Sequence, residues 1–211
     1  MRDKKTPSLL LLDLDGTLTP VQSPWKYVYE RLGIWESVGC PILDRYQRGM
    51  IDYATFCRLD VEAWENAGAD LAKVESILDE IPLPKESLDF LEAILERGFL
   101  VTLLSTGLQR VADNLGERTG RPALRNIRSV INGIRLRDGH LEPILRVHEG
   151  NTHRGKGNWA KRLVRFSGIP LERTFAVGDG VSDSFMFAHV GKAFPVKGPH
   201  DLQKVLAKLL P

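Results

Sequence analysis

The densest apolar run in the chain is residues 9–12, four consecutive leucines that stop at Asp13-Leu14-Asp15-Gly16-Thr17. With no helical spacing, the run predicts a strand buried on both faces, and Gly16 supplies the sharp turn at its end. After Thr19 the period changes. Apolar residues recur at three- and four-residue steps, predicting helices over 25–32, 35–46, 53–64 and 71–78, with Gly33, Gly49 and Gly68 between them. Gly39 and Pro41 interrupt the second. Trp25, Tyr29, Tyr53, Phe56 and Trp64 read as the core of this helical unit.

An α/β rhythm follows. An amphipathic helix over 87–97 ends at Gly98, and residues 99–104 form a second buried strand that stops at Ser105-Thr106-Gly107, before a helix over 108–115. Residues 127–147 hold short β-prone runs separated by Asn132-Gly133 and Asp138-Gly139, two expected hairpin turns. Helix 158–166, strand 174–177, helix 184–189, strand 193–196 and helix 202–209 complete the pattern. The fold class expected is α/β, a doubly wound, Rossmann-like parallel sheet with a helical cap inserted after the first strand. Residues 1–19 and 84–211 would form the core and 20–83 the cap, with Pro20 and the Pro82–Pro84 segment as hinges for closure.

Composition narrows the class. At 211 residues and 43% hydrophobic, the chain can bury a good core. Cys40 and Cys57 lie far apart in no metal-like or redox-like pattern and read as small buried hydrophobes in a reducing compartment. The basic residues near Met1 precede only a few apolar positions, so neither a signal peptide nor a membrane span is expected, and the protein reads as cytoplasmic. Net charge is only +2, yet residues 36–96 hold fourteen acidic against five basic side chains, and 118–165 hold twelve basic against three acidic. The arginines are scattered with no aromatic platform among them, which speaks against nucleic acid; the same field would draw a small anionic substrate.

The candidate chemistry sits at strand ends. Asp13 and Asp15 end the first strand, Ser105 and Thr106 the second, and Asp179 and Asp183, within Gly178-Asp179-Gly180-Val181-Ser182-Asp183, a later one. In a parallel sheet such tips converge on one crevice, where one carboxylate could act as nucleophile and another as proton donor beside a divalent cation. Magnesium prefers oxygen ligands and keeps several waters, so Asp13, Asp179 and a backbone carbonyl near Asp15 would suffice. Lys156, between Gly155 and Gly157 at a helix start, can reach a phosphate, although no Walker loop is present. The segment His148 to His153 is not a zinc helix, since its histidines are five apart and Gly150-Asn151 would break the helix.

In order, Asp13-x-Asp15-Gly16-Thr17, Ser105-Thr106-Gly107, Lys156 and Gly178-Asp179-Gly180-x-x-Asp183 resemble the four motifs of the haloacid dehalogenase superfamily. The second aspartate is similar to that of its phosphatases. The insertion after the first strand and the Gly-Asp-Gly-x-x-Asp form are similar to its phosphoserine phosphatase branch. The resemblance implies a magnesium-dependent phosphomonoester hydrolase acting on a small phosphorylated metabolite. Asp13 would become an aspartyl-phosphate, and Asp15 would protonate the leaving oxygen and then deprotonate water. Ser105, Thr106, Gly107 and Lys156 would hold phosphate; Asp13, Asp15 and Asp179 would serve the metal, with Asp183 behind them.

That branch carries a Glu nine residues after the nucleophile, and an aromatic and an Arg on a cap helix, to read the amino-acid head. Here the ninth residue is Gln22, Tyr53 matches the aromatic, and Asp60 stands at the Arg position with Arg58 two places earlier. Gln22, Tyr53 and Arg58 are therefore the candidate specificity residues. A buried Asp facing a substrate carboxylate would cost affinity, which argues against phosphoserine itself, and the acidic insertion favours a neutral or cationic leaving group. Two rivals remain: a phosphotransferase passing the phosphoryl group to an alcohol, and a non-catalytic phospho-acceptor or binding module. Both acids on the first strand, unlike the layout of receiver domains, speak against the second.

Overall fold

The strand predicted from the leucine run is β1 (Ser8–Leu12), and its side chains part alternately into two apolar layers. Leu9 and Leu11 pack with Ala160 and Met186, whereas Leu10 and Leu12 join a larger cluster on the other face. Burying each leucine contributes about 1.5–3 kcal/mol. The computed structural model describes residues 7–148 and 154–210.

Between β1 and the next strand come α1 (Pro24–Arg31), α2 (Cys40–Gln47), α3 (Tyr53–Asn66), α4 (Leu71–Asp79) and α5 (Lys85–Glu96). Ser23, Asp52 and Asp70 start α1, α3 and α4, each accepting a hydrogen bond from the backbone N–H three residues on, worth about 1 kcal/mol apiece. Where one helix was expected over 35–46, a wide turn at Trp35–Gly39 leads into α2. Gly39 lies against the Trp35 ring, and Pro41 falls in the first turn, where no N–H is needed. Trp25, Tyr29 and Trp64 pack together, with Trp64 tilted against Trp25 at 5.5 Å and edge-on to Tyr29 at 5.7 Å between ring centroids. They belong to the same apolar cluster as Leu10 and Leu12, so the inserted helices and the sheet share one core. Cys57 is buried there; Cys40, expected inside, is exposed at the start of α2.

The remaining elements are β2 (Phe99–Leu108), α6 (Gln109–Glu117), β3 (Arg128–Arg137), β4 (His140–Ile144), α7 (Arg154–Ser167), β5 (Thr174–Gly178), α8 (Asp183–Phe187), β6 (Lys192–Pro195) and α9 (Leu202–Leu209). The six strands run in the order β4-β3-β2-β1-β5-β6, all parallel except the β3–β4 pair. The chain winds outward from β1 through β2 to β3, then returns to β5 on the opposite side of β1. The strand order therefore reverses beside β1 and β5, the position where open α/β sheets bind ligands. The outermost strands, β4 and β6, each carry a proline, Pro143 and Pro195.

Asp138-Gly139 is the hairpin turn between β3 and β4, with both residues at positive φ. Asn132-Gly133 is not a turn. β3 runs through it, pairing with β2 as far as Asn132 and with β4 from Gly133 onward. The buried Asn132 amide replaces turn chemistry with long-range hydrogen bonds described below. Part of the acidic excess of 36–96 is met within the fold: Arg110 forks onto Asp79 at 2.7 and 2.8 Å, and Arg121, from the basic stretch, pairs with Asp89 and Glu92. Among the described residues, no helix is long and apolar enough to cross a membrane.

Candidate active site

The backbone of Asp13 extends the β1 ladder by one rung, its N–H donating to Val177 O at 2.9 Å, so the side chain stands at the strand tip. The chain then folds back tightly: Leu18 and Thr19 N–H both reach Leu14 O, and Gly16, at φ +78°, donates to Val21 O at 2.8 Å. A Cβ on Gly16 would sit 2.4 Å from Asp179 Oδ2. Glycine at 16 is thus required twice, for its backbone angle and for the approach of the β5 loop. Thr17 Oγ1 ties the two loops by donating to Asp179 Oδ1 at 3.1 Å.

β2 keeps regular register with β3 to Ser105, opposite Ile131, and resumes at Leu108, opposite Asn132. Thr106 and Gly107 are therefore looped out as a bulge, a device that re-aims backbone groups beside active sites. The strand does not stop at Ser105, as its polar run had suggested; it continues past the bulge, and α6 begins only at Gln109. Ser105 Oγ donates to Asp15 Oδ2 at 2.6 Å and accepts from Gly107 N–H at 2.9 Å. A Cβ at Gly107 would lie 1.9 Å from Asp15 Oδ2, so only glycine leaves that carboxylate room.

Lys156, in the first turn of α7, is 2% exposed. Its Nζ lies 2.6 Å from Asp13 Oδ1 and 2.6 Å from Asp183 Oδ1, and Asp183 Oδ2 accepts from Gly180 N–H at 2.8 Å. Burial alone would discharge the ammonium, but Asp13 and Asp183 outweigh it and hold its pKa above the usual lysine value. Burial dominates for the acids. It raises the Asp13 carboxyl well above the ordinary range against the pull of Lys156, and pushes Asp15 up to about 7, against the Ser105 hydrogen bond and Lys156.

These groups surround a cavity of about 160 Å³, walled by Asp13, Asp15, Ser105, Gly107, Lys156 and Asp179, with Gln22, Ser23 and Trp25 on its helical side. Carboxylate oxygens of Asp13, Asp179 and Asp183 lie within 4.8 Å of one another. An all-oxygen set of this kind fits a hard divalent cation such as magnesium. The buried Oδ1 of Asp15 also lacks a hydrogen-bond donor among the described residues, while Asp13 Oδ1 lies against the Lys156 ammonium. The Asp15 side chain stands on the Ser105 side, outside the acidic trio, whereas Asp183 belongs to it.

Of the sequence candidates for specificity, Gln22 lines the cavity. Tyr53 meets it from behind, its hydroxyl donating to Thr106 O at 3.3 Å. Arg58 does not join them; it is exposed and paired with Glu62 at 2.6 Å. Asp60 is turned inward, accepting from Tyr29 OH at 2.8 Å, and does not wall the cavity. Sequence reasoning missed Trp25 and Asn132, both of which donate to Thr106 O. It assigned Trp25 to the core and Asn132 to a turn, and only their long-range partners reveal the second role. Part of the discarded zinc-helix segment, 149–153, lies outside the described residues.

An open α/β sheet whose switch point gathers a strand-tip aspartate, a buried lysine, a bulge hydroxyl and an acidic trio defines an enzyme site for phosphate-like anions. The chain belongs to the haloacid dehalogenase-like hydrolases, whose family model matches residues 10–187. It is 27% identical over 196 residues to phosphoserine phosphatase of Idiomarina loihiensis, covering 92% of this chain and 84% of that protein. It is 25% identical over 190 residues to that of Methanocaldococcus jannaschii, covering 89% and 84%. Against the Streptomyces coelicolor phosphoserine phosphatase, 25% identical, it spans 92% of its own length and 45% of that protein. Among solved structures it is similar to a substrate-bound phosphoserine phosphatase complex (TM-score 0.69, 22% identity, 96% of this chain and 99% of that one). A phosphoserine phosphatase captured as a phospho-aspartyl intermediate analogue gives a TM-score of 0.68 at 24% identity, covering 95% and 91%. Family and relatives together indicate a phosphatase.

Proposed function

We propose that this chain is a phosphomonoester hydrolase that works through a phosphorylated Asp13. The observation that carries the reading is the meeting of Asp13, Asp15, Ser105, Lys156 and Asp179 around one cavity of about 160 Å³. An Asp13 carboxylate oxygen attacks phosphorus, the ester oxygen departs, and Asp15, whose buried carboxyl titrates near 7, delivers the proton to it. Asp15, now ionised, takes a proton from water. The hydroxide attacks the acyl phosphate, inorganic phosphate leaves, and Asp13 is restored as a carboxylate.

Lys156 offsets the repulsion between the Asp13 carboxylate and an incoming dianion, and Ser105 Oγ, held by the Gly107 N–H, would turn its hydrogen from Asp15 to a phosphate oxygen. Asp13 and Asp179 have carboxylate capacity left for magnesium, with a backbone carbonyl near Asp15. Both oxygens of Asp183 are engaged by Lys156 and Gly180, which suits it to steadying the site from behind. Bound magnesium would add positive charge next to the transferring phosphoryl group.

In this reading residues 20–83 cap a core of 1–19 and 84–211, and Gln22 and Ser23 face the leaving group. With Arg58 engaged by Glu62, no cap arginine reaches the cavity, which favours a small phosphomonoester whose head is not a carboxylate. The test is a magnesium-dependent screen of phosphorylated amino acids, alcohols, sugars and nucleotides, with Asp13→Asn as control. Turnover by the wild type alone supports the reading; equal rates in both proteins overturn it. Anionic head groups as the best substrates would overturn the head-group assignment.

A further inference from the structure

The carbonyl oxygen of Thr106, inside the β2 bulge, accepts from three side chains on three different elements. Trp25 Nε1 of α1 is 3.1 Å away, Asn132 Nδ2 of β3 3.2 Å and Tyr53 OH of α3 3.3 Å. A carbonyl has two lone pairs, so three converging donors saturate it and hold its direction. In a planar trans peptide the N–H points opposite to the C=O. Fixing Thr106 C=O toward these donors therefore fixes Gly107 N–H the other way, and that N–H meets Ser105 Oγ at the cavity wall.

Asn132 is the rigid member of the clamp. It is 0% exposed, and its Oδ1 accepts from both Arg146 N–H and Val147 N–H at 2.8 Å. Its Nδ2 also donates to Tyr53 OH at 3.1 Å, so it sets the hydroxyl that shares its target. We propose that Asn132, acting with Tyr53 and Trp25, is a positioning residue: by fixing the Gly107 N–H on Ser105 Oγ it sets the hydroxyl that meets a phosphate oxygen. Two of the three donors belong to the inserted helices. Seating those helices thus completes the anion site, and an incompletely seated state leaves the Thr106 carbonyl held by Asn132 alone.

The inference rests on the phosphohydrolase reading, and its test separates the two. Asn132→Asp keeps the shape and the acceptor for Arg146 and Val147 but loses the donor to Thr106; Tyr53→Phe removes one hydroxyl and keeps the ring. Each is measured for kcat and KM with p-nitrophenyl phosphate and magnesium, for inhibition by orthovanadate, for binding of inorganic phosphate by calorimetry, and for melting temperature.

Removing an oxyanion donor outright costs about 10²–10³ in kcat, so misaiming one is expected to lower kcat about tenfold to a hundredfold. Orthovanadate inhibition should weaken by a similar factor and KM should change less. The double variant should lose less than the product of the two single losses, because both act on one carbonyl. A merely structural role would lower the melting temperature and leave kcat per folded molecule and orthovanadate inhibition unchanged, which would overturn the proposal. Should Asn132→Asp fail to fold, Tyr53→Phe decides by the same readouts. A wild type that binds phosphate but hydrolyses no aryl phosphate would sink the hydrolase reading. The clamp is then judged by whether the variants weaken phosphate binding, as expected, or leave it unchanged.

Discussion

Lys156 Nζ lies 2.6 Å from Asp13 Oδ1, with both side chains almost sealed from water. The same ammonium also holds Asp183 at 2.6 Å, so losing the lysine strands two buried carboxylates in low dielectric. Lys156→Met is therefore expected to abolish turnover and to destabilise the fold by about 3–5 kcal/mol. Urea unfolding at neutral pH checks the second figure.

Asp13→Asn is expected to separate chemistry from folding. The amide keeps the volume at the β1 tip and the backbone rung to Val177, and Lys156 retains Asp183. Turnover of an aryl phosphate should fall below detection, with unfolding free energy within about 1–2 kcal/mol of the wild type. A residual rate above a hundredth of the wild type would mean that Asp13 is not the nucleophile.

On the proposed reading, Gly16→Ala should act through magnesium binding. The new methyl would need the space of Asp179 Oδ2 and a backbone at φ +78°, so it displaces the carboxylate or strains the loop. Half-saturation by magnesium is expected to rise at least about tenfold, in the range seen when groups supporting metal ligands are disturbed. Asp179→Asn should do the same, and chelation by EDTA should stop the wild-type reaction until magnesium is restored.

Asp60 predicts a pH dependence of stability that lies away from the site. Burial pushes its carboxyl up to about 7, with the Tyr29 hydrogen bond pulling the other way. Between roughly pH 4 and 7 the folded chain keeps a proton that the unfolded chain has released, so stability falls as pH rises through that window. Asp60→Asn retains an acceptor for Tyr29 and removes the titration. The variant should gain on the wild type from pH 4 to 8, by up to about 4 kcal/mol, and denaturant titrations across that range test it.

The central strand and the four polar loops were legible in the sequence for a physical reason. Alternate leucines of β1 enter two apolar layers, which forces an unbroken hydrophobic run, and the acidic loops after β1 and β5 follow such strands directly, whereas Lys156 stands in the first turn of α7. What escaped were relations whose partners are distant in sequence. Thr17 meets Asp179 across 162 residues, and no local pattern marks that pair. Asn132-Gly133 carries the chemistry of a turn, yet its buried amide binds the Thr106 carbonyl and the Arg146 and Val147 amides instead. Arg58 shows the reverse failure: its position in the helical segment suggested a substrate contact, but a carboxylate four residues on takes it.

Pro143 and Pro195 stand in the two border strands of the sheet. A foreign polypeptide trying to lengthen the ladder on either side meets a nitrogen with no hydrogen to give. Fibrillar stacking of one molecule on the next through main-chain bonding is thereby discouraged at both borders. Association through side chains and helical faces meets no such obstacle.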